Sequence, residues 1–112
     1  MLTRFYKLCE YEEMELGEIQ KQVFKNKINK GFDVTNVERE FCLLYGELGE
    51  AFEAYLKKKE GLGGELADVA IYLFGLSEML GFDLQQEIER KMEINERREY
   101  EIRDGVPQKK KK

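Results

Sequence analysis

The segment from Val69 to Leu76 reads VAIYLFGL and constrains the fold more than any other part of the chain. In a helix these side chains would point in every direction around the axis, so the helix would be apolar all round. Such a helix is buried on several sides and needs neighbours on more than one face. Two acidic residues, Glu65 and Asp68, nevertheless stand at its start, one turn apart.

Four stretches of the chain are long enough for helices, and glycines mark the connections between them. The predicted helices span residues 9–29, 36–59, 64–80 and 84–102. Asn36 and Asp83 are suited to cap helix starts, and Gly31 and Gly81 are suited to end helices. The only proline, Pro107, comes after the last of these stretches, so no helix is forced to break. The fold class predicted is all-α.

The predicted architecture is a four-helix bundle in one domain over residues 1–106, followed by a disordered lysine-rich tail over 107–112. The third helix offers more apolar surface than one such chain can cover. We therefore expect the bundle to be completed by oligomerisation, as a homodimer or a homotetramer. Six aromatic residues are interpreted as core or subunit interface, namely Phe41, Tyr45, Phe52, Tyr55, Tyr72 and Phe74.

The composition excludes several kinds of chemistry, because the chain has no histidine and two cysteines. Zinc sites that use histidine, Ser-His-Asp or Cys-His nucleophiles and imidazole bases are all ruled out. Cys9 and Cys42 are too far apart in sequence for a Cys-x-x-Cys pair and are interpreted as small apolar fillers. Any catalysis must depend on carboxylates, Lys or Arg, hydroxyls, or a metal bound through oxygen.

The charge distribution argues against several partners and locations. Residues 1–108 carry 15 basic and 23 acidic groups, a net charge of −8, which is unsuited to nucleic-acid binding. No apolar stretch is long enough for a membrane span, and the first residues lack the apolar core of a signal peptide. We expect a cytoplasmic protein that binds neither nucleic acid nor membranes.

Two acidic pairs stand out from the chain's many Glu-x-x-Glu spacings because each adjoins a strongly apolar segment. They are Glu47/Glu50 on the second predicted helix and Glu65/Asp68 on the third. Residues three apart on a helix are neighbours, and a short connection favours antiparallel packing of these two helices. Four carboxylates would then converge and repel one another unless a cation lies between them. Hard oxygen ligands suit Mg²⁺ or Mn²⁺.

Polar side chains interrupt the apolar stripe of the fourth predicted helix, which is formed by Leu84, Ile88 and Ile102. The interrupting residues are Lys91, Asn95 and Arg98, which project within about 60° of the stripe's direction. Buried charge must be paired or must bind something. These residues could form salt bridges with the acidic pairs on the other helices or bind an anionic ligand, and the sequence leaves both roles open.

Three segments together resemble the MazG-like all-α nucleoside triphosphate pyrophosphatases. They read LLYGELGEAFEAY, GELADVAIYLFGLSEMLGFDL and KMEINERR, and Lys30 to Phe32 adds a Lys-Gly-Phe ahead of the second helix. The shared pattern is Glu-x-x-Glu, a spacer, Glu-x-x-Asp, and then a helix with Lys and Asn-x-x-Arg. The likeness covers roughly Gly31 to Arg98.

The resemblance implies a Mg²⁺-dependent enzyme that cleaves a nucleoside triphosphate between its α and β phosphates. By position, the metal ligands and catalytic carboxylates would be Glu47, Glu50, Glu65 and Asp68. The triphosphate would be bound by Lys91, Asn95 and Arg98, with Lys30 as a further candidate. The resemblance also implies sites completed between subunits. Cleaning of the nucleotide pool is the biological role expected, and alarmone removal and phage-encoded metabolism stay open beside it.

Gly64 stands where many relatives have a second Glu, and the chain has no tryptophan to stack on a base. Phe32, Tyr72 or Tyr6 could replace it, and base preference stays open. Two alternatives also remain. One is a non-catalytic helical interaction module that kept the scaffold, and the other is hydrolysis of a modified nucleotide such as phosphoribosyl-ATP.

Overall fold

The structure, a computed structural model, describes residues 14–110. Its helices are α1 (Leu16–Asn29), α2 (Val37–Leu56), α3 (Leu62–Leu80) and α4 (Leu84–Arg97). Two short strands follow, β1 (Tyr100–Arg103) and β2 (Val106–Lys109), paired as an antiparallel hairpin. The four helices confirm the all-α class. None of the helices in this part of the chain is both long and apolar enough to cross a membrane.

Local capping chemistry fixes most helix ends where the sequence predicts them. The Asn36 Oδ1 accepts a hydrogen bond of 3.0 Å from the Arg39 N–H, and the Asp83 Oδ1 accepts one of 3.1 Å from the Gln86 N–H. Gly31 and Gly81 adopt φ of 81° and 82°, the left-handed conformation that ends a helix at little cost for glycine. α1 begins at Leu16, after the extended Glu15, so the predicted helix is wrong at residues 14 and 15. The earlier part of the predicted helix, residues 9–13, lies outside the described residues.

α3 begins two residues earlier than the predicted residue 64, since Leu62 and Gly63 already belong to it. Gly61 precedes the helix with φ of 89°, and Lys58 earlier in the same connection has φ of 53°, so the chain reverses through two residues of positive φ. Gly63 and Gly64 are therefore helical residues and not part of the connection. α2 ends at Leu56, three residues before the predicted residue 59, so residues 57–61 connect it to α3. This short connection sets the two helices side by side.

The fourth helix ends at Arg97, so the prediction that it extends to residue 102 is wrong. Arg98 is already extended, with φ of −70° and ψ of 141°. Asp104 and Gly105 follow with φ of 51° and 78°, and two consecutive residues of positive φ make the tight turn that Asp-Gly favours in hairpins. Ile102 consequently lies on β1 and does not extend the α4 stripe.

The hairpin also corrects the predicted tail and domain boundary. Pro107 pairs with Ile102, and Lys109 pairs with Tyr100, so residues 107–109 belong to β2 and are not part of a disordered tail. The boundary placed after residue 106 would cut through this strand. Lys111 and Lys112 lie outside the described residues.

α3 is the central helix, and it packs against both α1 and α2. The buried apolar side chains are Ala51 and Ala54 on α2 and Phe74 and Leu76 on α3. This core is small, and the radius of gyration of 17.6 Å exceeds the roughly 13 Å expected of a compact chain of this length. Leu66 and Ile71 of α3 are exposed, so the apolar surface of this helix is only partly covered within one chain.

A broad apolar face of α2 is uncovered in the single chain. We call it the α2 face, and its members are Phe41, Tyr45, Leu48, Phe52, Tyr55 and Leu56. Tyr45 is 74% exposed and Phe52 is 60% exposed. Of the aromatic residues expected in a core or an interface, Phe74 is buried and Tyr72 is half-buried, whereas those of α2 are outside the core. Their place in a subunit interface stays a prediction.

Cys42 also lies on the exposed part of α2 as a free thiol, so its interpretation as a buried filler is wrong. Cys9 lies outside the described residues.

Hydrogen bonds at one end of the bundle hold the start of α4. The buried Gln20 of α1 donates to the Phe82 carbonyl at 2.7 Å and accepts from the Leu84 N–H at 3.0 Å. The Gln85 side chain accepts a bond of 2.9 Å from the Gly17 N–H. α4 has no buried residue along its length. It is therefore fixed at its first turn and covered little beyond it.

Candidate functional site

Three carboxylates converge where α2 and α3 lie side by side. Glu47 of α2 and Glu65 and Asp68 of α3 each place one oxygen within 4.8 Å of the other two. We call these three residues the acidic cluster. Glu47 and Glu65 are half-buried and Asp68 is exposed, so the cluster is partly withdrawn from water while one side stays open to a ligand.

The fourth predicted carboxylate, Glu50, is not part of this close group. It is exposed on α2, one turn beyond Glu47. Its negative charge contributes to the raised pKa of Glu47. The structure thus brings three of the four predicted carboxylates into one group and leaves Glu50 beside it.

Crowding of like charges is the main electrostatic feature of the acidic cluster. Partial burial raises the pKa of Glu47, and the negative charges of Glu50, Asp68 and Glu65 raise it further. A cation among the three carboxylates would remove this repulsion. Oxygen donors at this spacing suit Mg²⁺ or Mn²⁺, so the residues present fit a divalent cation of this kind.

The raised pKa of Glu47 leads to a prediction about stability. An acid whose pKa is higher in the folded state than in the unfolded state destabilises the fold when ionised, and this effect fades as the pH falls through the raised pKa. We expect Glu47→Gln to raise the melting temperature in EDTA at pH 8 by about 1–3 °C, with a smaller gain at pH 5. Differential scanning calorimetry at both pH values measures this change.

The exposed Glu38, at the start of α2, provides the matched control. Glu38→Gln removes a favourable charge from a helix N-terminus and is not expected to stabilise the protein. A lower melting temperature for Glu47→Gln at pH 8 would contradict the interpretation that like charges are crowded at this position.

Within residues 14–110, the predicted phosphate-binding residues of the fourth helix make no ion pair with the acidic cluster. Lys91 and Asn95 are exposed on α4, and Arg98 is half-buried just after its end. The ion pairs made by α4 are local, Arg90 with Glu87 and Arg97 with Glu93, each within one turn. In the described part of the chain, no ion pair links Lys91 or Arg98 to the acidic cluster.

Lys30 is exposed immediately after α1, and no ion pair of it is found in the described part of the chain. Its neighbour Phe32 lines a groove between α1 and α3, where the Tyr72 ring also lies. These are two of the three aromatic residues considered for base stacking. The third, Tyr6, lies outside the described residues.

Sequence reasoning missed the most buried ion pair of this region. Lys27 of α1 donates to the Glu40 carboxylate at 3.0 Å, and the two side chains are only 13% and 5% exposed. The Lys27 ammonium also lies 5.6 Å from the centre of the Phe32 ring and 5.5 Å from that of Tyr72. A signal was present, because Glu40 falls within about 20° of the buried Ala51 on a helical wheel.

The fold has four helices, and the acidic cluster lies between the second and the third. These features define an all-α protein with a candidate divalent-cation site. The model of the MazG-like family matches residues 34–111, more than half of the chain. The chain therefore belongs to the MazG-like family, which confirms the resemblance predicted from its motifs. Comparison with curated proteins and with solved structures finds no match. Family membership indicates a function of the nucleotide pyrophosphatase type.

Proposed function

We propose that this protein is a Mg²⁺-dependent nucleoside triphosphate pyrophosphohydrolase that releases a nucleoside monophosphate and pyrophosphate. The observation that carries the proposal is the acidic cluster, a convergence of three carboxylate oxygens in a MazG-like chain. Glu47, Glu65 and Asp68 would hold the cation. When bound, Mg²⁺ or Mn²⁺ neutralises and polarises phosphate oxygens.

Glu50 has a separate role in this proposal because it lies beside the acidic cluster and not in it. Its exposed carboxylate would orient a water molecule and accept its proton as the water oxygen attacks the α-phosphorus. The bond from the α-phosphorus to the bridging oxygen then breaks, and pyrophosphate leaves. Phosphoryl transfer requires mainly positioning and charge neutralisation, which carboxylates and cations can supply without histidine.

Lys91, Asn95 and Arg98, with Lys30 as a further candidate, would bind the triphosphate through its oxygens. Since α4 is fixed only at its first turn, we propose that α4 of a second copy completes the site. The exposed α2 face supports a homodimer or a homotetramer, because a surface of this apolar character favours burial. Removal of toxic or surplus nucleotides from the nucleotide pool is the biological role that we propose.

The experiment is a screen for pyrophosphate release with ribo-, deoxyribo- and modified nucleoside triphosphates. We expect equal amounts of monophosphate and pyrophosphate, a requirement for Mg²⁺, and loss of activity in EDTA. Phosphoribosyl-ATP is included as a substrate, and its exclusive hydrolysis would replace the proposed substrate class with that modified nucleotide.

A thermal-shift measurement distinguishes the non-catalytic alternative. A binding module without catalysis predicts no pyrophosphate from any substrate and a melting temperature that does not respond to Mg²⁺ plus nucleotide. A catalyst of the proposed kind gains stability by mass action when both are present. Inertness in both assays would overturn the proposed function.

A further inference from the structure

The hairpin of β1 and β2 has little support from the helices. Within residues 14–110, its strands pack on each other, and no helix packs along either of them. Ile102 of β1 is 73% exposed, and Tyr100 and Val106 are about half exposed. An isolated two-stranded hairpin is marginally stable in water, whereas three or more strands with an apolar face are stable. The described part of the chain therefore leaves this hairpin without the support that such a structure needs.

The pairing register determines which backbone groups point away from the hairpin. The Lys110 N–H donates to the Glu99 carbonyl at 2.8 Å, so these two residues form a hydrogen-bonded pair. Along an antiparallel ladder, such pairs alternate with pairs whose backbone groups point outward. The outward pairs of this hairpin are Tyr100 with Lys109 and Ile102 with Pro107.

The two edges of the hairpin differ in what they offer to another strand. On the β2 edge, Pro107 has no N–H, and Lys109 adds a charged side chain. Proline and lysine are residues by which natural sheets block further pairing. On the β1 edge, Tyr100 and Ile102 each present both an N–H and a carbonyl. Of these two edges, β1 is therefore the one that offers a full set of donors and acceptors.

The β1 strand is complementary to a second copy of itself. If Glu101 faces its counterpart across a two-fold axis, Tyr100 of each copy lies opposite Ile102 of the other. These two pairs exchange four backbone hydrogen bonds and place an aromatic ring beside a β-branched side chain. Arg103 of each copy then lies opposite Glu99 of the other, which gives two pairs of opposite charge.

Repulsion between the two Glu101 carboxylates opposes this register. Each of them is held by Arg103 of its own strand at 2.7 Å, which offsets part of the charge. A shift of two residues, so that Ile102 faces its counterpart, removes the repulsion but keeps only two of the four hydrogen bonds. One cross-strand charge pair is worth no more than about one hydrogen bond, so the register with four bonds is favoured.

We propose that β1 pairs with β1 of a second copy, so that two hairpins form one four-stranded antiparallel sheet. The contact is small, so it forms between chains that the α2 face already holds at high effective concentration. It therefore rests on the assembly that is part of the proposed function. Because Arg98 lies two residues before β1, the sheet also limits the movement of this phosphate-binding candidate.

Hydrogen exchange followed by nuclear magnetic resonance tests the pairing in the unmodified protein. After correction for intrinsic rates, we expect the Tyr100 and Ile102 amides to exchange at least about tenfold more slowly than the Lys109 amide. In an unpaired hairpin, all three N–H groups point to solvent and exchange alike. Equal exchange of the three amides in the assembled protein would overturn the proposal.

Disulfide cross-linking tests the partner and the register in a chain whose native cysteines are replaced by serine. Glu101→Cys places two thiols opposite each other at a Cα separation of about 4.5 Å, which a disulfide can span. Gln108→Cys is the matched control, because Gln108 pairs with Glu101 and lies on the outer strand. The two Gln108 positions would be about 14 Å apart, too far for a disulfide. In a glutathione buffer, we expect at least about tenfold more linked dimer for Glu101→Cys, measured on non-reducing gels.

A backbone change tests whether hydrogen bonds of the β1 edge hold the two strands together. Ile102→Pro removes an outward N–H and leaves the bonds inside the hairpin, as Pro107 does at the facing position of β2. Added to Glu101→Cys, it should lower the yield of linked dimer at least about fivefold, whereas Ile102→Val should keep it. An unchanged yield with the proline would overturn the proposed pairing.

Sedimentation velocity separates the strand pairing from the assembly on which it rests. If the wild-type protein is assembled but Glu101→Cys gives no more linked dimer than Gln108→Cys, the strand pairing is wrong and the assembly stands. The same result is expected if the β1 edge serves a strand of another protein. If the wild-type protein is monomeric, the assembly is wrong, and cross-linking at about 1 mM protein decides. Linked Glu101→Cys dimers at that concentration would support the pairing, and their absence would overturn it.

Discussion

Glu65→Gln and Asp68→Asn are each expected to lower kcat/KM for pyrophosphate release by about a thousandfold. Each change removes one of the three negative charges of the acidic cluster while keeping the size and hydrogen-bonding capacity of the side chain. Loss of one group that stabilises transition-state charge commonly costs ~10²–10³-fold in rate, and loss of a bound cation costs more. Steady-state assays with the best substrate from the screen give the value.

Isothermal titration with Mg²⁺ separates loss of the cation from loss of fold. Both variants should bind Mg²⁺ at least about tenfold more weakly than wild type, with unchanged circular dichroism. Glu38→Gln, on the exposed start of α2, is the control and should retain wild-type activity and affinity. Full activity of Asp68→Asn would show that the acidic cluster is not the catalytic site.

Phe52→Asp is expected to convert the protein to monomers and to reduce its activity at least about a hundredfold. Phe52 is 60% exposed at the centre of the α2 face, and an aspartate buried in an interface would be strongly unfavourable. Activity should fall with assembly if, as proposed, α4 of a second copy supplies phosphate-binding side chains. Sedimentation velocity gives the oligomeric state.

A mixing experiment tests whether one site uses two chains. Asp68→Asn and Arg98→Ala should each be inactive, whereas an exchanged mixture should recover up to about a quarter of wild-type activity. Half of the dimers in such a mixture contain one chain of each variant. In each of these mixed dimers, one site carries both substitutions and the other site carries neither. For Phe52→Asp, the control is Gln86→Asp, which adds an acidic residue at an exposed position at the start of α4. This control variant should stay assembled. Exchange without recovery would place the complete site within one chain.

The starts of α2 and α4, the ends of α1 and α3, and the acidic cluster were predictable because local chemistry decides them. Asn36 and Asp83 cap helices through bonds to residues three positions on, which the sequence displays directly. Glu47 and Asp68 converge because a short connection sets α2 beside α3, so helical spacing was sufficient to predict the cluster. Glu50 differs because one turn of helix moves it out of the group.

The features that were missed depend on contacts between distant residues or on a competing turn. Helical periodicity continued through residue 102, but Asp104 and Gly105 favour a hairpin, and the chain becomes extended from Arg98. The Lys27–Glu40 pair joins α1 to α2 across Gly75 of α3, and no spacing rule connects three helices. Periodicity shows which face of a helix is apolar but not which other helix packs against that face. The packing of α4 could therefore not be predicted from the sequence.

The α2 face has a thermodynamic consequence if it is buried against a second copy, as proposed. Much of the apolar burial would then occur between chains, so folding and association would be one equilibrium. Each tenfold dilution would remove about 1.4 kcal/mol from the free energy that separates the assembled protein from unfolded chains. The melting temperature of this protein would therefore depend on protein concentration as well as on its sequence.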